Sequence, residues 1–376
     1  MSIAITAVKL ILNLIFAVMK LFPVKDRVSL ISRQSDKPSV DFLMLQKEIK
    51  SQSPTTDVRV LCHKLDGMPG IGYIPVLLGQ MAAIASSKAV VIDTYCIAVS
   101  LLKQRKETEI IQIWHALGAL KRFGRSIAGN RGEGRSLRLA RVMNMHGNYS
   151  HVLCSSRNCF AAYEEAFGYD ESCMLEGSLP RVDLLMSACY RTETAAKIAA
   201  KYPQIERAPG EGRKVVVYAP TFRMKGDIGG ALEALKNEMS GTGNILVIKP
   251  HPLMNVKAEN SRRFIVDTDF STMEMLFAAD VVICDYSAIV FEAALLTKPV
   301  CFYAFDLDTY AGSRSFYLDY EKDMPGEVCR TASEVKNAVE RDDFDLERVK
   351  TFADRYVTCR EGATGRLVSF ILQTGK

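Results

Sequence analysis

The feature that most constrains the fold is a series of short apolar runs rich in β-branched residues. Continuous apolar runs bounded by polar turns are typical of strands buried on both faces of a parallel sheet. Helical or loop stretches separate the runs, so the pattern predicts an α/β fold. The runs span residues 27–32, 57–62, 88–93, 109–114, 151–156, 214–220, 244–250, 263–266, 280–285 and 299–304.

The runs fall into two series, separated by the polar stretch 191–213. This stretch starts helix-like and ends rich in Pro and Gly, which is typical of a linker. A chain of 376 residues fits two doubly wound domains, since domains average about 150 residues. We predict an N-terminal helix over 1–24 and doubly wound domains over 25–195 and 196–376. No Gly-x-Gly-x-x-Gly fingerprint follows the first strand, which argues against a nicotinamide cofactor.

Composition excludes several classes of protein. With 48% hydrophobic and 24% charged residues, the chain is an ordinary globular protein and not a disordered or fibrous one. None of the ten cysteines forms a Cys-x-x-Cys pair. Most lie in apolar runs, which indicates buried free thiols in a reducing compartment and does not fit a zinc site.

The net charge is only +5, but basic residues concentrate between positions 121 and 141. This run is either a solvated face or a surface for anionic lipid or a phosphate-bearing acceptor. Nucleic acid is disfavoured because no series of aromatic residues accompanies the charges. The basic residues are Lys121, Arg122, Arg125, Arg131, Arg135, Arg138 and Arg141.

The first 24 residues are the most apolar part of the chain. Only ten uncharged residues separate Lys9 from Lys20, too few for a bilayer span of about 20. On a helix, the polar residues fall within a sector of about 60°; they are Ser2, Thr6, Lys9, Asn13 and Lys20. We predict a helix lying in the membrane surface with its lysines at the headgroups. The alternative is a helix docked on the protein's own core.

Two histidines follow predicted strands, where ligands bind in open α/β sheets. His115 ends EIIQIWH and could take a proton from a hydroxyl at neutral pH, or be a hydrogen-bonded structural residue. His251 lies between two prolines in IKPHP, two residues after Lys249. The pair could hold a pyrophosphate, or the segment could simply be a stiff loop.

Polar residues also follow the strand at 280–285. Asp285 and Ser287 precede a predicted helix, whose N-terminus could bind a phosphate or be capped by either side chain. Glu292 could reach a ribose hydroxyl. Further candidates are a threonine and three arginines, each arginine suited to a phosphate or to a surface ion pair; they are Thr221, Arg223, Arg181 and Arg314.

Several motifs in order resemble the CDP-glycerol glycerophosphotransferases of wall teichoic acid synthesis. They are IQIWHALGALKRFG, GSLPRVDL, YAPTFR, IKPHP and DVVICDYSAIVFEAALLTKPVCFY. The N-terminal LFPVKDRV and the later SFYLDYEKDMPG also fit. Each motif alone is weak, but their order over residues 1–335 is specific.

The resemblance implies a GT-B-like fold, two Rossmann-like domains with the active site in a cleft between them. It implies CDP-glycerol as donor, bound mainly by the C-terminal domain, and a lipid-linked glycan or polyol-phosphate acceptor. It also implies monotopic attachment to the cytoplasmic face of the cell membrane. His115 matches the general base, His251 the histidine at the donor diphosphate, and Ser287 the phosphate-binding turn. We also predict that Lys121 binds substrate.

Two departures from the family pattern stand out. Ala288 replaces a common second serine, and AGSRSFY replaces a frequent Arg-Gly-Phe-Tyr, which leaves the role of Arg314 open. No Asp-x-Asp motif precedes the donor site, so we expect no dedicated metal site, although Mg²⁺ could bind on the diphosphate. The alternatives are a CDP-ribitol enzyme, a nucleotide-sugar glycosyltransferase of similar outline, and a non-catalytic membrane-binding module.

Overall fold

The computed structural model describes residues 2–65, 70–129, 136–221, 223, 228–251, 254, 256, 259–313 and 315–374. Of residues 2–4 and 311–313 it describes the backbone alone. The chain forms two compact units. The first unit comprises residues 1–116, 122–183 and 358–376, and the second unit residues 117–121 and 184–357.

The first unit contains a six-stranded sheet in which every paired strand is parallel. Its strands are β1 (Lys25–Ser32), β2 (Asp57–Cys62), β3 (Ser87–Ile92), β4 (Glu109–Gln112), β5 (His151–Cys154) and β6 (Met174–Glu176), in the order β2-β1-β3-β4-β5-β6. Its helices are α1 (Ser2–Met19), α2 (Val40–Gln52), α3 (Ile74–Ala85), α4 (Ile97–Leu101), α5 (Leu137–Val142) and α6 (Phe160–Phe167). The boundary falls within α7 (Arg181–Met186).

The second unit contains a seven-stranded sheet. Its strands are β7 (Val215–Tyr218), β8 (Ile245–Ile248), β9 (Glu259–Asn260), β10 (Phe264–Val266), β11 (Val281–Cys284), β12 (Val300–Tyr303) and β13 (Glu327–Cys329). Its helices are α8 (Ala188–Lys201), α9 (Pro203–Arg207), α10 (Ile228–Ser240), α11 (Thr272–Met275), α12 (Ile289–Leu295), α13 (Leu307–Ser313), α14 (Ala332–Arg341) and α15 (Leu346–Tyr356). The strand order is β13-β12-β11-β7-β8-β10-β9. Among the described strands of this sheet, the short β9 alone pairs antiparallel, with β10.

All ten predicted strands are present, and they are buried as their composition predicts. Val216, Val217 and Ile283 of the second sheet are fully buried, as are Val90 and Ile111 of the first. Strands with apolar side chains on both faces need helices against each face to remove them from water. The α/β prediction is therefore confirmed.

The unit limits differ from the predicted 25–195 and 196–376. Residues 191–213, interpreted as a linker, lie within the second unit, where α8 and α9 cover most of the stretch. The last helix, α16 (Ala363–Thr374), belongs to the first unit. Asp183 explains this return, because its carboxylate accepts hydrogen bonds from the N–H groups of Ala363 and Thr364, both at 2.8 Å, at the start of the helix.

Helix α1 packs on the first unit through few of its side chains. Phe16 is 1% exposed, whereas Leu10, Leu14 and five other large apolar residues of the segment are half exposed or more; these are Val8, Ile11, Val18, Leu21 and Phe22. The ammonium group of Lys20 donates a hydrogen bond to the backbone carbonyl of Lys103 at 2.7 Å. Lys20 therefore contacts the protein itself, whereas the sequence predicted a contact with lipid headgroups. The helix thus docks on the core and leaves an apolar face outward. Among the described residues, no helix is long and apolar enough to cross a membrane.

Candidate active site

His115 follows a strained turn at the end of β4. Trp114 has φ of 56°, a left-handed conformation that costs a residue with a Cβ about 1–3 kcal/mol. Gln112 holds the turn in place: its side-chain oxygen accepts from the Trp114 N–H at 2.8 Å, and its amide donates to the Thr94 carbonyl at 3.1 Å. The predicted strand 109–114 therefore ends at Gln112, because the turn redirects the backbone and sets the position of His115.

The hydrogen bond of the His115 ring determines which nitrogen is basic. Nδ1 lies 3.0 Å from the backbone carbonyl oxygen of Asp93. A carbonyl oxygen can only accept, so Nδ1 carries the hydrogen and Nε2 carries the lone pair of the neutral imidazole. The Trp114 ring packs against the imidazole, with centroids 4.1 Å apart. The ring is thus held in place with Nε2 as its basic nitrogen.

His115 lines a cavity of about 300 Å³ within the first unit. The cavity is also lined by a second histidine, His146, and by the cation Arg33, neither of which was predicted as a site residue. No Asp or Glu is among its described lining residues. The lining residues are Arg33, Thr94, Tyr95, Trp114, His115, Phe123, Gly124, Ile127, Ala128, Met145 and His146.

Asp93, next to this cavity, is a buried carboxyl group with 3% of its surface exposed. Burial raises its pKa from 3.8 to about 6, although hydrogen bonds from Ser32 and Thr94 act in the opposite direction. The unfolded chain loses this proton at lower pH than the folded one. Between pH 4 and 6 the folded protein therefore binds more protons, and the contribution of Asp93 to stability falls as pH rises.

We expect Asp93→Asn to be more stable than the wild type above pH 6, by at most about 3 kcal/mol. The advantage should shrink as pH falls from 6 towards 4, because the wild-type carboxyl then becomes neutral. Urea unfolding of both proteins at a series of pH values between 4 and 8 measures this difference. A difference that does not change with pH would contradict the raised pKa.

In the second unit, Asp285 organises the loop after β7. Its carboxylate is fully buried and accepts from the Thr221 N–H at 2.8 Å, from Thr221 Oγ1 at 2.6 Å and from Arg223 at 3.0 Å. Asp285 and Thr221, both predicted as substrate-binding residues, are thus brought together. In this structure the Asp285 carboxylate joins two strand ends and does not cap helix α12.

The buried side chain of Arg223 forms ion pairs with two carboxylates, of which Asp285 is fully buried and Asp306 is 21% exposed. It binds Asp306 through Nε at 2.9 Å and Nη2 at 3.2 Å, and Asp285 through Nη1. Its side chain is 2% exposed. Burial alone would lower the pKa of Arg223, but the hydrogen bond to Asp306 and the charge of Asp285 raise it above its ordinary value. The guanidinium predicted to meet a phosphate is therefore largely committed to protein carboxylates.

The ammonium group of Lys249 is likewise hydrogen-bonded to protein groups. Its ammonium donates to the Asp267 carboxylate at 2.5 Å, to the Asp267 carbonyl at 2.9 Å and to the Phe270 carbonyl. An ammonium group has three donors, so these contacts use all of them. Lys249 ties the end of β8 to the loop after β10, next to His251.

His251 and Lys121 lie near each other in the second unit. Burial lowers the pKa of His251 below 6.5, and the positive charge of Lys121 lowers it further. Its imidazole is therefore neutral at neutral pH. Lys121 also donates to the Tyr310 hydroxyl at 3.4 Å.

Ser287 and Glu292 accompany helix α12. Ser287 is partly buried, and its Oγ lies 3.4 Å from the Ile289 N–H at the first turn. Glu292 lies within the helix and is 4% exposed. Of the two, Ser287 is the one placed beside the helix start.

The remaining predicted residues lie elsewhere. In the first unit, Arg181 forms an ion pair with the buried Asp41 through Nε at 2.9 Å. This arginine therefore follows the ion-pair alternative, but the pair is partly buried and does not lie on the surface. Arg314, together with Arg131 and Arg135 of the basic run, lies outside the described residues. His115 and His251 belong to separate units. Among the described residues, no group of three or more His, Cys, Asp or Glu is placed to hold a metal ion.

Comparison with known proteins identifies the family. Residues 14–373 match the family described as CDP-Glycerol:Poly(glycerophosphate) glycerophosphotransferase. The chain belongs to this family. It is 30% identical to a teichoic acid ribitol-phosphate primase of Bacillus spizizenii, with 93% of this chain and 92% of the primase covered.

Two further comparisons concern teichoic acid polymerases. The chain is 30% identical to the ribitol-phosphate polymerase TarL of Staphylococcus aureus over 78% of its own length, but it spans only 52% of that polymerase. The solved structure of the wall teichoic acid polymerase TagF superimposes with a TM-score of 0.76 at 19% identity, covering 100% of this chain and 97% of that one. This likeness concerns the fold, and it confirms the predicted GT-B-like class.

Proposed function

We propose that the protein transfers glycerol phosphate from CDP-glycerol to a hydroxyl group of a membrane-linked acceptor and releases CMP. The observation that carries this proposal is the fixed imidazole of His115, whose Nδ1–H is bound to the Asp93 carbonyl. That arrangement leaves Nε2 as the basic nitrogen, at the end of a strand in a cavity with a neighbouring cation. Membership of a family of glycerophosphotransferases supports the reaction class.

The reaction forms one bond and breaks one bond. The acceptor oxygen attacks the phosphorus that carries glycerol, and the bond from this phosphorus to the bridging oxygen of the diphosphate breaks. CMP leaves with that electron pair, and the acceptor's proton goes to His115 Nε2. Reactions of this kind depend mainly on positioning and charge stabilisation.

Residues of the second unit would handle the donor. The neutral imidazole of His251 can donate a hydrogen bond to a phosphate oxygen, and Ser287 with the first turn of α12 can donate others. Lys121, near His251, contributes positive charge. The buried ion pairs of Arg223 and Lys249 hold the loops that carry these groups. We expect any Mg²⁺ to bind on the diphosphate.

CDP-ribitol is a second candidate donor. The relative that this chain matches over 93% of its length is a ribitol-phosphate primase, whereas the family description names glycerol phosphate. Ribitol has two more carbon atoms and hydroxyl groups than glycerol, so a site shaped for one discriminates against the other through unpaired polar groups.

CMP release tests both donors. We expect release from CDP-glycerol that depends on a lipid-linked acceptor mimic, with CDP-ribitol and a UDP-sugar measured in parallel. CMP release from CDP-ribitol alone would show that ribitol phosphate is the transferred group, while the proposed reaction type would stand. Acceptor-dependent UDP release would indicate a glycosyltransferase, and release of neither nucleotide would refute the proposed activity. Product length then distinguishes addition of one unit from polymerisation.

We also propose that the outward apolar face of α1 rests on the cytoplasmic surface of the cell membrane. We expect Leu14→Asp to weaken binding to vesicles containing anionic lipid by at least about tenfold, because it places a charge in the face of α1 that the membrane would cover. Leu43→Asp is the matched control, since Leu43 is 50% exposed on α2. Co-sedimentation measures both; equal loss of binding in the two variants would contradict this orientation.

A further inference from the structure

The basic run of the first unit contains two arginines that line a cavity of their own. Arg122 forms an ion pair with Glu165, whereas Arg125 and Arg141 line a cavity of about 360 Å³. No Asp or Glu is among the described residues of its wall. The structure thus places two positive charges in this cavity without a carboxylate to balance them there.

The guanidinium of Arg125 is held in place by the backbone around it. Its Nε donates to the Met145 carbonyl oxygen at 2.7 Å, which uses one of its five N–H donors. Gly168 follows α6 with φ of 77°, and a Cβ at this position would overlap the Nη1 atom of Arg125. The glycine therefore leaves room for the guanidinium. A planar group fixed in this way loses little entropy when it binds an oxyanion.

Arg141 reaches the cavity from α5. This helix contains two arginines and no acidic residue, so it offers them no oppositely charged neighbour one turn away. Arg141 is exposed, and no carboxylate among the described residues pairs with it. Asn144 follows the helix and also lines the cavity; its amide donates to the Ser100 carbonyl at 2.8 Å. The end of α5 is thus anchored, while the Arg141 guanidinium stays accessible to a ligand.

The rest of the described cavity wall is apolar. It consists of Ala128, Leu137, Ala140 and Met145, and Leu137 is 51% exposed. A small inorganic anion would leave this part of the wall without contacts, and an uncharged hydrocarbon would leave the two guanidinium groups without an acceptor. The combination fits a phosphate group joined to a hydrocarbon chain.

The cavity lies beside the helix that is proposed to meet the membrane. Helices α1 and α5 pack against each other. Met145 of the cavity wall and Leu12 of α1 also pack on the same buried cluster, which includes Tyr95 and Ile97. Because the outward face of α1 is apolar, a membrane that covers this face would bring lipid phosphates next to the cavity.

We propose that this cavity binds the phosphate of a membrane lipid, with Arg125 and Arg141 contacting its oxygens and the apolar wall contacting the first carbons of its chain. The proposal rests on the proposed orientation of α1 and adds a specific headgroup site to it. An acceptor joined to its lipid through a phosphate carries this group, and so does a bulk anionic phospholipid.

Binding of hexyl phosphate to the full chain, measured by calorimetry without membrane or nucleotide, tests the cavity directly. We expect Arg141→Ala to bind this probe about 10–100-fold more weakly than the wild type, because it removes a charge-assisted hydrogen bond. Arg138→Ala is the matched control: it removes the same charge from the same helix, but Arg138 is not among the lining residues. We expect its affinity to stay within about threefold of the wild type.

Two further variants separate the charged and apolar parts of the site. Arg125→Lys keeps the charge but loses the planar fork, so hexyl phosphate should bind about tenfold more weakly while thermal melting stays native. Leu137→Ala should weaken binding of hexyl phosphate but not of inorganic phosphate, since it removes apolar contact alone. Failure of the wild type to bind hexyl phosphate, or equal affinities in Arg141→Ala and Arg138→Ala, would overturn the site.

Vesicles distinguish the two lipids that could supply the phosphate. Phosphatidylcholine vesicles are prepared with an equal mole fraction of either phosphatidic acid or a polyprenyl phosphate, and binding is measured by co-sedimentation. Weaker binding of Arg141→Ala than of Arg138→Ala to both preparations would assign the cavity to phospholipid headgroups. Weaker binding to the polyprenyl phosphate vesicles alone would assign it to the lipid of the acceptor. Equal binding of the two variants to both would refute a lipid ligand.

The site and the proposals on which it rests fail in different ways. None of these measurements uses CDP-glycerol, so a hexyl phosphate site that depends on Arg141 would stand even if the wild type releases no CMP. Unchanged vesicle binding in Leu14→Asp would refute the orientation of α1, whereas unchanged hexyl phosphate binding in Arg141→Ala would refute the cavity site alone.

Discussion

We expect the His115→Ala variant to lose about 10²–10⁴-fold in acceptor-dependent CMP release. The loss follows from removing the nitrogen that takes the acceptor's proton, since Nδ1 is bound to the Asp93 carbonyl and only Nε2 is basic. Donor affinity should be almost unchanged, because His115 and the residues proposed for the donor lie in separate units. The measurement is CMP release at saturating donor, with donor binding determined separately.

His63→Ala is the matched control for this variant. His63 also lies in the first unit, but its side chain is 42% exposed and lies 3.5 Å from Asp36. We expect its activity to stay within about twofold of the wild type, since it touches no proposed ligand. Near-normal CMP release in a folded His115→Ala protein would refute the assignment of His115 as the base. Loss of donor binding in the same variant would indicate a binding role instead.

The strands were predictable because each is encoded by a short apolar run with polar ends. The three strands that were not predicted, β6, β9 and β13, are only two or three residues long, so their sequences have no detectable periodicity. β4 ends two residues before the predicted strand does, because Trp114 turns the backbone with φ of 56°. Nothing in the composition of that run marks the turn, which depends on the buried side chain of Gln112.

The position of His115 was predictable, but its chemistry was not. Its partner Asp93 follows a different strand, and the two meet because Ile92 pairs with Gln112 across β3 and β4. Sheet register of this kind is not contained in the spacing of one motif. His146 was missed for a related reason: it follows no strand, and its network with Tyr149 and Gln112 exists only after folding.

The cations of the second unit show the same limit of sequence reasoning. A lysine or arginine after a strand is compatible with a phosphate ligand or an ion pair, and the pairing carboxylate decides which. Arg223 meets Asp306, 83 residues away, and Lys249 meets Asp267. Those carboxylates follow other strands, so only the sheet order brings them together.

Arg223→Ala should therefore act first on stability. Removing one partner of a buried ion pair leaves its carboxylates without compensation, which typically costs about 3–5 kcal/mol. Asp285 is fully buried, and among the described residues its carboxylate would keep the two hydrogen bonds from Thr221. We expect a loss of this size in the free energy of unfolding of the second unit, measured by urea titration at pH 7.

Arg59→Ala gives the matched comparison, because the Arg59 ion pair with Asp57 is on the surface, with side-chain exposures of 57% and 42%. Exposed pairs contribute about 0–1 kcal/mol, so this variant should unfold close to the wild type. The double variant Arg223→Met with Asp285→Asn should recover part of the stability that Arg223→Ala loses, since it removes both buried charges.

The role of Arg223 can be determined by comparing how its variants change the free energy of unfolding and the affinity for the donor. If it mainly holds the loop after β7, Arg223→Ala lowers stability strongly, and the double variant regains donor binding together with stability. If it mainly contacts the diphosphate, donor affinity falls in both variants while stability changes by less than about 1 kcal/mol. The contacts with Asp285 and Asp306 lead us to expect the first result, because a guanidinium with most of its donors in hydrogen bonds to the protein has little left for a ligand.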